Sequence, residues 1–143
     1  MVIKTVSTQS LILKSEHATR EFGVKLSRSI DSGVVYLEGL LGAGKTTVVK
    51  GWLQDLGYGG TVRSPTYTIV EPYELDGKSI LHIDLYRIND PVELEFIGLV
   101  EQIAMSELVF VEWPAHGEGV IPTPDYKIKL EFVHGGRLAT CDQ

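Results

Sequence analysis

The spacing of apolar and polar positions divides this chain into strands and helices before any motif is considered. Residues 11–14 read as a short edge strand. Ser15 follows as a helix cap, with Glu16 placed favourably in the first turn. Ala18, Phe22, Leu26 and Ile30 then recur every four residues and give that helix one apolar face, until Asp31-Ser32-Gly33 ends it. Val34-Val35-Tyr36-Leu37 is a compact apolar run of the kind found in buried strands. A glycine-rich stretch comes next. Residues 45–56 have helical character, stopped at Gly57-Tyr58-Gly59-Gly60.

The second half is richer in strands. Ser64-Pro65-Thr66 begins a loop, and residues 67–73 are rich in β-formers. Asp76-Gly77 is a hairpin turn signal, with residues 79–85 as the return strand. Asn89-Asp90-Pro91 predicts a helix start, the helix running to about Ala104 with a possible interruption at Gly98. Leu108-Val109-Phe110-Val111 is a further buried strand leading into Glu112-Trp113-Pro114. Tyr126, Ile128, Leu130 and Phe132 alternate strictly, His134-Gly135-Gly136 turns the chain, and residues 137–141 form a last strand. Helices and strands interleave early and strands dominate late. The expected architecture is one α/β layered domain spanning residues 1–143, closed by a C-terminal β-hairpin.

Composition narrows the function. The apolar fraction is 43% and the charged fraction 22%, enough for a core and without the bias of a disordered chain. The net charge is -6, and the 13 basic residues are scattered, which argues against a tight unaided grip on nucleic acid. Cys141 is the one cysteine, so no intrachain disulfide can form and a reducing compartment is expected. Residues 1–14 hold no apolar run longer than Leu11-Ile12-Leu13, so neither a signal peptide nor a membrane span is expected there, and the expected location is the cytoplasm.

The sharpest chemical signal is Gly39-Leu40-Leu41-Gly42-Ala43-Gly44-Lys45-Thr46, a complete phosphate-binding loop set between a strand and a helix. Glycines let several backbone N–H groups converge on one anion, and the helix adds the positive end of its dipole. Lys45 supplies a mobile charge for the β- and γ-phosphates of ATP, and the Thr46 hydroxyl is a ligand for Mg2+. Asp84 and Glu112 each end an apolar strand, where ligands of α/β sheets gather. Either can hold Mg2+ waters or orient an attacking water, or simply cap its strand. Thr66, in the loop after the P-loop helix, can sense the γ-phosphate or touch Mg2+, or be a solvent turn. His82 can be a base or a satisfied structural histidine, and Arg87 a phosphate ligand or a surface residue.

Gly42-Ala43-Gly44-Lys45-Thr46-Thr47, Ser64-Pro65-Thr66-Tyr67-Thr68, Asp84-Leu85-Tyr86-Arg87 and Glu112-Trp113-Pro114 occur in that order. The ordered set resembles the TsaE (YjeE) family, the ATPases of bacterial tRNA threonylcarbamoyladenosine synthesis, over most of the chain. The resemblance implies a compact P-loop NTPase-like fold with a largely parallel central sheet, and slow ATP hydrolysis by the isolated protein. It also implies work with TsaD and TsaB, and contact with tRNA only through that complex. It places nucleotide (ATP or ADP) at Leu41, Gly42, Ala43, Gly44, Lys45, Thr46 and Thr47. It implies Mg2+ at Thr46, Asp84 and Glu112, and catalytic roles for Asp84, Glu112 and Thr66. Trp113 matches a recurrent tryptophan near the site. The family usually has aspartate where this chain has Leu40, which puts any role of that aspartate in doubt here.

Rival readings are a small-metabolite kinase, a GTP-dependent switch and a nucleotide-gated assembly scaffold. Kinases of this size usually carry an arginine-rich lid, which no segment provides. The Asp-x-x-Gly and Asn-Lys-x-Asp motifs of a GTP switch do not occur. The scaffold reading differs from the ATPase reading only in whether turnover is needed.

Overall fold

The computed structural model describes residues 9–143, so the expectation for the leading segment falls largely on residues outside the described range. Seven strands form one sheet: β1 (Gln9–Leu13), β2 (Gly33–Glu38), β3 (Val70–Leu75), β4 (Lys78–Asp84), β5 (Leu108–Glu112), β6 (Tyr126–Val133) and β7 (Gly136–Asp142). Their spatial order is β1-β7-β6-β2-β5-β4-β3. The central strands β6, β2, β5 and β4 run parallel. The margins are antiparallel, with β3 on β4 at one side and β7 and β1 beyond β6 at the other. The C-terminal hairpin expected from the alternation is therefore β6–β7, and β1 is an edge strand.

Helices α1 (Glu16–Ser29) and α2 (Lys45–Asp55) cover one face; the short helices α3 (Glu93–Phe96) and α4 (Leu99–Ala104) belong to the second half of the chain. Two apolar clusters result. One joins α1 and α2 to β2, β6 and β7 and includes Trp52, whose ring meets Phe110 edge-on at 4.8 Å between centroids. The other gathers Leu94, Leu99 and Ile103 against Leu81, Ile83, Val109 and Val111. Val109 and Val111 serve the second cluster while Leu108 and Phe110 serve the first, the period-two signature of a strand covered on both sides. Cys141 lies in the first cluster, where burial pushes its thiol pKa up and leaves it a packing residue.

Local chemistry explains the boundaries. The Ser15 hydroxyl accepts from the Ala18 N–H at 3.0 Å, the expected cap. One expectation needs correction. Residues 67–69 are not strand: the chain turns at Thr66-Tyr67-Thr68, the Ile69 N–H reaches back to the Pro65 carbonyl at 2.7 Å, and β3 begins only at Val70. The β-formers there are overridden because the hydroxyls of Ser64 and Thr66 are tied elsewhere. The helix expected to run to about Ala104 is interrupted at Gly98, the position the sequence marked, where φ 69° separates α3 from α4. Its start is held by Glu93, whose carboxylate accepts from the N–H groups of Asn89 and Asp90 at 3.1 and 3.0 Å.

Helices α1 and α2 approach closely at paired glycines. A Cβ on Gly51 would collide with the Arg20 carbonyl, and one on Gly23 with the Val48 carbonyl. Alanine normally gains about 1 kcal/mol over glycine inside a helix, but here overpacking opposes it. We predict that Gly51→Ala destabilises the protein by about 2 kcal/mol, measured by urea denaturation. A stabilised variant would show that the helices can separate without cost.

Candidate functional site

The site forms where four parallel strands end. In the β4–β5 register Asp84 stands opposite Glu112, and in the β2–β5 register Glu112 stands opposite Leu37, two residues before the glycine loop. Strand pairing alone thus sets two carboxylates beside the loop. Both are buried, at 3% exposure each.

The loop curls because its glycines take conformations closed to other residues. Gly44, the N-cap of α2, has φ 108°, and a side chain there would also press on Thr19 Cγ2 at 3.1 Å. Residues 41–47 line one cleft of about 220 Å³ together with Ser64, Glu112 and Trp113. The seven loop positions singled out in the sequence therefore share one cavity. Leu40 lies on the exposed crest, at 66% exposure.

Lys45 is buried at the root of the cleft. Its ammonium donates to the carbonyls of Gly39 and Leu40, the latter at 3.1 Å, and sits 4.4 Å from the centroid of the Trp113 ring. Burial pushes its pKa down, and the carboxylates of Glu112 and Asp84 pull it back up. Trp113 itself has φ 56° and lies against Tyr86 and His116, with centroids 5.0 and 5.6 Å away. This backbone turn directs the chain from β5 into the 3₁₀ turn Pro114–Gly117.

Each acid has its own set of donors. Glu112 Oε2 accepts from the Thr46 hydroxyl at 2.9 Å and lies 2.6 Å from His82 Nε2. His82 is fully buried and its Nδ1 has no partner among the described residues. A carboxylate oxygen needs a donor, so the imidazole hydrogen is assigned to Nε2. Asp84 Oδ2 accepts from the Thr66 hydroxyl at 2.9 Å and from Ser64 at 3.4 Å, while Oδ1 accepts from the Tyr86 N–H at 2.9 Å. The structure thus brings Thr46, Thr66, Asp84 and Glu112 to one end of the sheet. Arg87 is not among them; its guanidinium covers the exposed Tyr67 ring at 4.9 Å.

This donor set suits Mg2+ held jointly with phosphate. No group of three or more His, Cys, Asp or Glu side chains among the described residues can enclose a metal. Thr46 with Glu112 and Asp84 offers a hydroxyl and two carboxylates, a partial shell of the sort that Mg2+ completes with water and phosphate oxygens. Two relations escaped the sequence reading. His82 was named there, but its bond to Glu112 depends on the pairing of β4 with β5. Arg137, on β7, donates from Nη2 to the Gly42 carbonyl at 2.9 Å across 95 residues, and no local pattern marks it.

Comparison with known proteins now places the chain. The family model for the threonylcarbamoyl adenosine biosynthesis protein TsaE matches residues 13–138. The chain belongs to the TsaE family. Among curated TsaE relatives, the Haemophilus influenzae protein is 45% identical over 104 residues, which cover 73% of this chain and 66% of that one, just under two thirds of its length. The Aquifex aeolicus TsaE is 40% identical over 108 residues, covering 73% of this chain and 76% of its own. The Borreliella burgdorferi TsaE is 30% identical over 131 residues, covering 90% and 95% respectively. The crystal structure of Bacillus subtilis YdiB superposes with a TM-score of 0.77 at 27% identity, over 96% of this chain and 86% of that one. The TsaE assignment and the α/β layered fold expected from the sequence therefore hold together.

The His82–Glu112 contact gives a test of how the TsaE site is built. His82→Leu is expected to cost about 3 kcal/mol, because it strands a buried carboxylate. The double variant His82→Leu/Glu112→Leu should cost less than the sum of the two single changes, with a coupling of about 1–2 kcal/mol. Chemical denaturation of the four proteins checks this, and strict additivity would mean that the two side chains do not interact.

Proposed function

We propose that this TsaE protein binds ATP and Mg2+ at residues 41–47 and hydrolyses ATP slowly to ADP and phosphate within the tRNA threonylcarbamoyladenosine pathway. It acts with TsaD and TsaB in the cytoplasm, reaching tRNA only through that complex. The observation that carries this reading is the convergence of a complete P-loop with two strand-end carboxylates whose oxygens already accept from Thr46 and Thr66.

Each residue has a defined task in this scheme. The loop amides and the N-terminus of α2 surround the phosphates. Lys45 leaves the Gly39 and Leu40 carbonyls for the terminal phosphates. Thr46, Asp84 and Glu112 would hold Mg2+, which would supply positive charge against the phosphates. With the metal in place, Thr46 would turn its hydroxyl from Glu112 towards it, and Glu112 Oε2, oriented by His82, would be free to hold a water. Thr66 and Ser64 exchange the Asp84 carboxylate for the γ-phosphate side, so their loop responds to the nucleotide state. The loop follows α2, and its order is the natural point at which a partner protein completes the site. The net charge of -6 supports partner-mediated contact with tRNA. No helix among the described residues is long and apolar enough to cross a membrane.

Lys45→Ala should weaken ATP binding about 100-fold or more, because a charge-assisted contact to phosphate is lost. Calorimetric titration with Mg2+ and ATP checks this, and unchanged affinity would remove the loop as the phosphate site. Asp84→Ala and Glu112→Ala should lower TsaD- and TsaB-stimulated phosphate release about 100-fold while nucleotide affinity moves by less than about 5-fold. Normal turnover by either variant would exclude that carboxylate from catalysis and, if it held for both, would favour the nucleotide-gated scaffold.

A further inference from the structure

We infer that the outer surface of helices α3 and α4 is a docking face for a protein partner that presents a basic amphipathic helix, its apolar side chains flanked by lysine and arginine. These two helices bury Leu94, Leu99 and Ile103 against the sheet. They and their flanks leave Val92, Phe96, Ile97, Val100 and Met105 in solvent, Phe96 at 85% exposure and Met105 at 82%. Isolated apolar side chains on a surface are ordinary. Here the exposed ones outnumber the buried ones on the same short stretch, and such a concentration marks a surface that is covered in use. Met105 also borders an open groove of about 480 Å³ between α4 and the edge of the sheet, with Val70, Pro72 and Leu81 along it. None of these residues belongs to the nucleotide cleft.

The charged side chains of this face are all acidic. Asp90, Glu93, Glu95, Glu101 and Glu107 are exposed, and none pairs with a basic side chain among the described residues. The chain has no Lys or Arg between Arg87 and Lys127. Charge of one sign beside an apolar patch selects the occupant. It repels RNA and anionic lipid, whose phosphates it would face. A second copy docked about a two-fold axis would bring the same acids against themselves. An added strand is disfavoured on β3, because Pro72 interrupts the backbone donors of that edge. A helix with apolar anchors and basic flanks matches both features. Its apolar side chains meet Phe96 and the groove beside Met105, and its lysines or arginines meet the acids.

The test is fluorescence anisotropy on the full chain with three labelled peptides of about 18 residues. The first has leucines on one helical face and lysines on the other. One control replaces every leucine by serine, and the second replaces every lysine by glutamate. The first peptide should bind, and both controls should bind about tenfold or more weakly by comparison. Phe96→Ser, a change at an exposed position, should weaken the first peptide about tenfold. The double variant Glu95→Lys/Glu101→Lys should do the same, and added salt should weaken the wild type. No binding of the leucine–lysine peptide would overturn the docking face. Equal binding of the serine control would reduce it to charge alone, and unchanged affinity in both Phe96→Ser and Met105→Ser would place the peptide elsewhere; either result overturns the proposal. So would capture of phosphatidylglycerol vesicles or of tRNA that Phe96→Ser abolishes, or self-association in analytical ultracentrifugation that the same variant removes.

Discussion

One oxygen atom, Glu112 Oε2, ties together three elements that are far apart in sequence. It accepts from Thr46 at the start of α2 and lies within hydrogen-bonding distance of His82 on β4, while its own backbone belongs to β5. A carboxylate buried to 3% exposure is tolerated only when its oxygens are satisfied. That requirement adds to the packing of Val48, Val49, Trp52 and Leu53 in setting how α2 faces the sheet, because the Thr46 hydroxyl must reach the acid. The position of Lys45 next to Trp113 follows from the same constraint, since Lys45 precedes Thr46 and Trp113 follows Glu112.

The packing behind the site works to the same end. Gly23 and Gly51 let α1 and α2 nearly touch, so α2 is packed closely on the side away from the sheet's end. On the other flank Arg137 pins the Gly42 carbonyl, so the loop is gripped from the hairpin side as well as from β5. The segment at residues 64–69 is held differently. The Ser64 and Thr66 hydroxyls bond Asp84, the Thr68 hydroxyl bonds Glu71, and the backbone turns through Ile69 at φ 70°. Rigid phosphate loop and locally tethered neighbour are thus separate mechanical parts of one end of the sheet.

Much of this was legible in the sequence because the informative features are local. The glycine loop, the Ser15 cap, the apolar runs ending in Asp84 and Glu112, and the alternation of β6 need only near neighbours to be read. What escaped depends on pairing across the fold. The chain shows His82 two residues before Asp84, but not that β4 lies against β5 so that the imidazole meets Glu112. Arg137 was invisible for the same reason, its partner being 95 residues away. The mistaken strand over residues 67–69 reflects intrinsic preference overruled by two side-chain hydroxyls, and the divided helix after Pro91 reflects Gly98 adopting a turn that the pattern only hinted at.

The folded-back lysine has a consequence for which anions the loop admits. With its ammonium on the carbonyls of Gly39 and Leu40 and its positive charge against the face of Trp113, Lys45 is already solvated by the protein. An incoming anion must therefore outcompete an internal ligand set instead of water. A monovalent ion offers one weak contact in exchange for two carbonyls and leaves the lysine where it is. Only an anion with several oxygens offers contacts enough to replace them. The resting contacts of Lys45 therefore set a threshold: a ligand must offer more than the two carbonyls and the ring face that it replaces.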